Sequence, residues 1–297
     1  MSDRAVLSID FELFSQTPAY RSASGEMAET GVGLAGGEFL RETLRDHDAT
    51  ATCFVVSEVA EDYPDAVTAL ADAGFEIGSH THSHRHLSEL SPADCREEIG
   101  RSKAILERVT GESVTGFRAP SFDIAPTQFD ALSEAGYRYD SSVVPSRTIP
   151  GWYGGEFDLH RPAPASEVDP DAPAGLAELP VSVMPGLRLP LTGTWIRFFG
   201  PRYTILGMRL LARRGITPVL YVHPWELVDL PAVEGVPSRV YYHTGDWMRR
   251  AIARILEQDF TFTTARSVVE HSIATDPAGA TGTAVSVGET ENRLEER

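Results

Sequence analysis

Four of the nine histidines fall within seven residues, in Gly78-Ser79-His80-Thr81-His82-Ser83-His84-Arg85-His86. Imidazole is a common metal ligand, and two on one short segment fix two corners of a site. The competing reading, a solvated histidine patch, fits less well, because His-rich tracts usually bind metal. Two pairs share a four-residue spacing, His80/His84 and His82/His86. A helical segment would put either pair on one side, and an extended one would turn all four the same way, so spacing leaves the pair open. A second group, Asp10-Phe11-Glu12, ends the apolar run Ala5–Ile9. Alternate residues of a strand point to one side, so both carboxylates can reach one site. Two imidazoles and one carboxylate with an open position is a catalytic zinc arrangement, and it also suits iron, manganese, cobalt or nickel.

Three further residues carry chemistry. His223 precedes Pro224, which holds it away from helical geometry at the end of the run Pro218–Val222; an imidazole there can donate a proton near neutral pH. Arg118 follows the run Val114–Phe117 and would orient a buried carboxylate and lower its pKa. Asp140 follows Tyr137–Tyr139. A lone histidine is more often a satisfied core residue, and an arginine a surface cation, so the argument rests on how these residues fall together.

The elements that must position them read as alternating strands and helices. Strands are expected at 5–9, 50–56, 75–78, 114–117, 137–139, 177–183, 218–222 and 260–262. Helices are expected at 38–46, from Ser57, at 64–73, from Ser91 to Val109, at 127–135, 203–214, from Thr244 to Glu257, and at 265–271. Serine at 91 and proline at 92 mark a helix start, and Gly74, Gly111 and Gly136 mark helix ends. Strands alternating with helices imply a parallel sheet covered on both faces. Asp10, His80, Arg118, Asp140 and His223 each follow the C-terminal end of an apolar strand, the reacting face of an α/β barrel. That coincidence is the strongest argument from the residues alone for an enzyme. Two segments read as long loops, 13–34 and 146–173; the second, with Trp152, Tyr153 and Phe157, is suited to lining a groove or covering a pocket. The chain is expected to form one domain over 1–274, followed by a disordered acidic tail over 275–297.

Composition narrows the partners. The net charge of −17 disfavours nucleic acid and anionic membrane surfaces. Of the 26 basic residues only Lys103 is lysine, and with 43 acidic residues this composition resembles the proteins of salt-loving archaea. The two cysteines, Cys53 and Cys95, make neither a disulfide framework nor a thiolate metal site. No apolar run approaches the roughly 20 residues of a membrane span, and Ala5–Ile9 is too short for a signal peptide. A cytoplasmic protein is expected, with a homo-oligomer left open.

Taken in order, Asp10-x-Glu12, His80-Thr-His-Ser-His84, Phe117-Arg118-Ala119-Pro120 and His223 resemble the NodB-homology polysaccharide deacetylases, carbohydrate esterase family 4. Arg118-Ala119-Pro120-Ser121-Phe122, Tyr139-Asp140-Ser141-Ser142, Leu179-Pro180-Val181-Ser182 and His223-Pro224-Trp225-Glu226 are similar, more narrowly, to the branch found with exopolysaccharide and exosortase loci. The resemblance covers roughly residues 4 to 270. It implies a distorted (β/α)7 barrel and a metal-dependent N-deacetylase acting on a carbohydrate. It selects His80 and His84 as ligands, Asp10 as catalytic base, His223 as general acid and Arg118 as the residue that orients the base. Many members carry two adjacent aspartates, the second on the metal, and here that position is Phe11. Glu12 is therefore expected to be the acidic ligand, with the exchange of roles between Asp10 and Glu12 open. Ser121, through its backbone N–H, Trp225 and Asp140 are expected near the substrate. The alternatives are a small-molecule amide or cyclic imide hydrolase of the same fold, and a catalytically silent sugar-binding homologue.

Overall fold

Strand β1 (Asp3–Phe11) separates its side chains by alternation. Leu7, Ile9 and Phe11 pack outward with Leu40 and Leu44 in the main apolar core, while Ser8 and Asp10, equally buried, have polar partners. The structure, a computed structural model, describes residues 3–149, 155 and 157–275. Its further strands are β2 (Thr52–Val55), β3 (Glu76–Ser79), β4 (Gly116–Phe117), β5 (Tyr139–Asp140), β6 (Ala163–Pro164), β7 (Ala177–Glu178), β8 (Val219–Val222) and β9 (Phe260–Phe262). The helices are α1 (Pro18–Arg21), α2 (Leu34–Asp46), α3 (Ser57–Asp62), α4 (Pro64–Asp72), α5 (Pro92–Thr110), α6 (Gln128–Glu134), α7 (Gly193–Phe199), α8 (Pro201–Ala212), α9 (Asp246–Leu256) and α10 (Ala265–Thr275).

The sheet runs β6-β7-β5-β4-β3-β2-β1-β8, parallel throughout except for the antiparallel β6–β7 edge, and β9 pairs with β1 beside this path. Residues 179–183 close the circle. The N–H of Val181 donates to Val143 O (2.9 Å) and that of Ser182 to Val219 O (2.9 Å), joining the β5–β7 side to β8. Strands β1, β2, β3, β4, β5, β7 and β8 thus form a curled, seven-stranded parallel barrel wrapped by helices, the distorted (β/α)7 architecture expected.

The barrel floor is plugged by α10, whose Ala265, Val268 and Val269 pack with Val6, Phe54, Tyr139 and Val219. Glu76 anchors the plug: it accepts hydrogen bonds from Thr52 (2.8 Å), Tyr139 (2.9 Å) and the backbone N–H of Arg266 (3.0 Å). At the other end, register places Asp10 beside Phe54, Ser79 beside Phe117 and Phe117 beside Asp140, so the polar strand ends share one rim.

The elements differ from expectation in instructive ways. Strands expected over 114–117, 137–139 and 177–183 shrink to two-residue ladders, because the apolar runs persist after the parallel hydrogen bonding stops. The long loop at 13–34 contains α1, and the segment before α8 contains the unpredicted α7. Helix α9 is capped by Gly245 (φ 63°) rather than by Thr244, and Ser57 starts α3 instead of capping it. Ser91 does cap α5, accepting from the N–H of Asp94 at 3.2 Å, and Gly111 ends it in the left-handed region. Trp152 and Tyr153, and the tail beyond Thr275, lie outside the described residues.

Candidate active site

A cavity of about 850 Å³ opens at the rim, and Asp10, Glu12, His80, His84, Ser121, His223 and Trp225 all reach its wall. The histidine stretch leaves β3 as a loop rather than a helix or strand. Its backbone turns through left-handed conformations at Thr81 (φ 63°) and His84 (φ 55°), which L-residues adopt at a cost. Glu98 holds the turn by accepting from the N–H groups of His82 (3.0 Å) and Ser83 (2.9 Å), and Arg21 donates to the carbonyls of Ser83 and His84. The turn brings the His80 and His84 rings to 4.9 Å between centroids. His82 is directed away, onto the Ser57 hydroxyl (2.9 Å), and His86 lies on the cavity wall against the Ser121 hydroxyl (3.1 Å).

The tautomers of the close pair follow from their partners. His80 Nδ1–H donates to Arg118 O (2.8 Å), and His84 Nδ1–H donates to Gln16 O (3.0 Å). A carbonyl can only accept, so each neutral ring keeps its Nε2 lone pair for the cavity. Burial pushes the His80 pKa down to about 4, against the raising effect of Asp10 and Glu12, so this ring is neutral at pH 7.

The carboxylates face those lone pairs. His80 Nε2 stands 3.9 Å from Asp10 Oδ2, and His84 Nε2 stands 2.8 Å from Glu12 Oε2. Glu12 Oε2 is buried with His84 Nε2 as its close polar neighbour, a pair that either a proton on the ring or a shared cation would satisfy. Burial alone would raise the Glu12 pKa, but His84, His223 and His80 outweigh it and hold the carboxyl well below the ordinary range. Glu12 Oε1 accepts from Trp225 Nε1–H at 3.1 Å. Asp10 is fixed on its other oxygen by Arg118 Nη1 (2.5 Å). Arg118 is fully buried, and its remaining donors go to Ser8 (2.9 Å) and to the hydroxyl (2.9 Å) and carbonyl (3.0 Å) of Ser141.

Among the described residues no group of three or more His, Cys, Asp or Glu is arranged so that it could hold a metal ion as it stands. The donor set nevertheless fits a divalent cation. The Nε2 atoms of His80 and His84 converge on the carboxylates of Asp10 and Glu12, the latter held ionised, and each ring is fixed from behind by a carbonyl.

The opposite wall carries His223. Its Nδ1 lies 3.2 Å from Glu226 Oε2 and its Nε2 3.5 Å from Glu12 Oε1. Burial alone would lower its pKa, but the hydrogen bond and charge of Glu226, with Glu12 and Asp10, raise it above the ordinary histidine value. Glu226 is itself fully buried and held by Arg197 Nε at 2.8 Å. Gly193 makes room for that contact, since a Cβ there would fall 1.8 Å from Glu226 Oε2. Sequence reasoning missed both residues. Glu226 had a signal, since a Glu three residues after the residue preceding a helical turn is a capping-box pattern, and its carboxylate does accept from the His223 N–H (3.0 Å). Arg197 had none, being 29 residues distant on a helix that was not foreseen.

Asp140, expected beside the substrate, is instead enclosed beneath the wall. It accepts from Gln128 (2.7 Å), Ser142 (2.6 Å) and the Ser141 N–H (2.9 Å), and it is Ser142 that reaches the cavity. Burial raises both Asp140, to about 6, and its neighbour Glu178, well above the carboxylate range because Asp140 is beside it.

Comparison with known proteins adds kinship to this geometry. Residues 38–139 match the polysaccharide deacetylase family, and residues 141–270 match a family described as a domain of unknown function. A peptidoglycan-N-acetylglucosamine deacetylase of Bacillus cereus is 31% identical over 96 residues, which is 32% of this chain and 35% of that protein. The matched stretches cover well under half the length of the first such relatives. A solved structure from Pseudomonas aeruginosa PAO1, assigned as a polysaccharide deacetylase, superposes with a TM-score of 0.65 at 16% identity, covering 92% of each chain. The PuuE allantoinase superposes at 0.62 with 18% identity, covering 92% of this chain and 91% of its own. These likenesses establish the NodB-like barrel, and the family match places residues 38–139 with the polysaccharide deacetylases.

Proposed function

We propose that the chain is a metal-dependent hydrolase that removes N-acetyl groups from a sugar of a polysaccharide or glycan precursor. The observation that carries this reading is the meeting in one cavity of a histidine with a raised pKa, His223, and two imidazoles, His80 and His84, whose Nε2 atoms converge on carboxylates. Amide hydrolysis needs both: a place to activate water and a proton for a leaving amine that departs poorly without one. The family match and the names of the relatives supply the class of amide.

His80, His84 and Glu12 would hold the divalent ion, zinc by preference of the donor set. The bound ion would acidify a water and polarise the acetyl oxygen. Asp10, locked by Arg118, accepts the water proton on the oxygen that faces His80. As the C–N bond breaks, His223 delivers the proton on Nε2 to the departing nitrogen, yielding acetate and a free amine. Glu226 favours the charged form of His223 and orients it for that step, and Arg197 holds Glu226 in place. The backbone N–H of Ser121 is available to the oxyanion, and Trp225, stacked on His223 at 5.1 Å, forms the adjoining wall. The motif likeness to the exopolysaccharide and exosortase branch makes a precursor of an exported glycan the substrate class. The acid-rich, lysine-poor composition supports a haloarchaeal source.

Acetate release from a panel of N-acetylated sugars, their oligomers and cyclic imides, with bound metal measured in the same preparations, tests the reading. Release from N-acetyl sugars that stops on chelation is expected. Turnover of the imides alone would replace the reading with that of an imide hydrolase, and metal-free protein without turnover would replace it with a silent sugar binder.

A further inference from the structure

In a chain of net charge −17, the 47 consecutive residues 179–225 contain no Asp or Glu and six arginines. The same stretch holds Leu187, Phe198, Phe199 and Leu206, with 54%, 40%, 52% and 54% of their surface exposed. A fifth exposed side chain, Tyr242, stacks on Phe198 with 5.8 Å between centroids, and Phe199 packs on Tyr203 at 5.1 Å. Among the described residues only one other large hydrophobic, Ile273, is exposed. Isolated exposed hydrophobics are ordinary, but a contiguous set of this kind marks an interaction surface.

Of the six arginines, Arg197 is buried on Glu226 and Arg188 pairs with Asp158, and the other four lie on α8 or just after it. Along α8 and its cap, Arg202, Leu206, Arg209 and Arg213 follow at steps of four, three and four, one stripe of a helix, and all four are exposed. No ion pair with a described carboxylate reaches Arg202, Arg209, Arg213 or Arg214, although the chain has 43 acidic residues. Aromatic and basic parts meet through Tyr203, which follows Arg202 on α8 and packs on Phe199. The face also borders the cavity: Phe198 lines its mouth, and Arg188, next to Leu187, donates to the carbonyl of the lining residue Phe157 at 2.8 Å.

Aromatic and leucine side chains beside arginines that have no carboxylate partner, one of them (Arg209) donating to Gln258 at 2.7 Å, match the chemistry of an anionic membrane interface. Rings settle at the headgroup boundary and the cations meet lipid phosphates. We propose that the α7–α8 face docks on an anionic lipid bilayer and seats the cavity mouth against the headgroups. The acid-rich remainder of the surface is repelled by the same bilayer, which fixes the orientation. Docking stands apart from the deacetylase reading; joined to that reading, on which this clause rests, it makes the substrate a sugar anchored in the bilayer.

The test is co-sedimentation of the full chain with vesicles of phosphatidylcholine alone or mixed with phosphatidylglycerol, in salt at which circular dichroism shows it folded. Binding to the phosphatidylglycerol vesicles and not to the neutral ones is expected. It should weaken by at least about 10-fold both in F199S/L206S and in R202Q/R209Q/R213Q, since each arginine near such a surface contributes appreciably. Unchanged melting of the two variants separates lost docking from lost folding. Absence of binding by the unaltered chain, or equal binding by both variants, overturns the proposal. So does self-association in the ultracentrifuge that the same substitutions abolish without any vesicle binding, which would make a second copy the occupant. Acetate release from soluble sugars is measured separately, so failure of docking and failure of the deacetylase reading are told apart.

Discussion

The two walls of the cavity use the same side chain to opposite ends. His80 and His84 have Nδ1 on backbone carbonyls, which accept a proton-bearing nitrogen but add no charge. His223 has Nδ1 on the Glu226 carboxylate, which adds a full negative charge in a buried setting. On the first wall burial wins, and His80 falls to about 4. On the second the carboxylates win and the imidazolium is favoured. His223 is somewhat more exposed than His80 and His84, at 13% against 2% and 4%, but the main difference is what sits behind the ring, a carboxylate or a carbonyl.

Removing a lone-pair histidine should have the largest effect. His84→Ala deletes a proposed ligand and leaves Glu12 facing empty space, so metal content should fall toward zero and acetate release by more than about 1,000-fold. Full metal retention in the purified variant would show that this wall is not the metal wall. On the opposite wall His223→Ala should keep the metal and lose about 100- to 10,000-fold in kcat, the usual contribution of a positioned acid. Loss of metal from this variant instead would erase the division between the walls.

The site was unevenly legible in the sequence. Alternation along β1 put Asp10 and Glu12 on one side, and both do reach the cavity, because strand geometry leaves little freedom there. Spacing could not choose among the histidines, since the loop after β3 is neither helix nor strand and is shaped by Glu98, Arg21 and two left-handed residues. Family likeness made the choice of His80 and His84. Asp140 follows an apolar run as the others do, yet it is enclosed, because Gln128 and the two serines after it absorb its oxygens. A parallel sheet covered by helices was readable from the alternating elements, and the (β/α)7 barrel came from the family likeness. Barrel closure by residues 179–183 was not readable, since it depends on single hydrogen bonds between distant strands. Helix α7 was hidden by Gly193 and a run of aromatic and β-branched residues of weak helical propensity. Net charge misled in another way: a sum over the whole chain conceals an acid-free stretch of 47 residues.

A backbone change can disturb one wall while sparing the other. Gly36 lies on α2 where an added Cβ would fall 1.9 Å from Pro224 O, a contact with main chain that cannot rotate away. Gly36→Ala should therefore displace the His223–Trp225 segment, lowering kcat by about 100-fold through misplacement of the acid. Metal content should stay near that of the unaltered chain. A parallel loss of metal would mean that the walls move as one body.

The smallest change at neutral pH, and the sharpest for the comparison, is Glu226→Gln. It keeps an oxygen to accept from the backbone N–H of His223 and removes only the charge behind the ring. His223 acts while protonated, so its step fails as pH rises through its pKa, and that pKa is raised chiefly by the hydrogen bond and charge of Glu226 against burial. With the charge gone, burial prevails and the pKa drops. The alkaline limb of kcat/KM should move to lower pH, costing about 10-fold near neutrality and little in mildly acidic buffer. His223→Ala should show no such limb, which ties it to this residue. An unmoved alkaline limb in Glu226→Gln would mean that the carboxylate behind the ring does not set its charge, and the difference between the two walls would then lie in the metal alone.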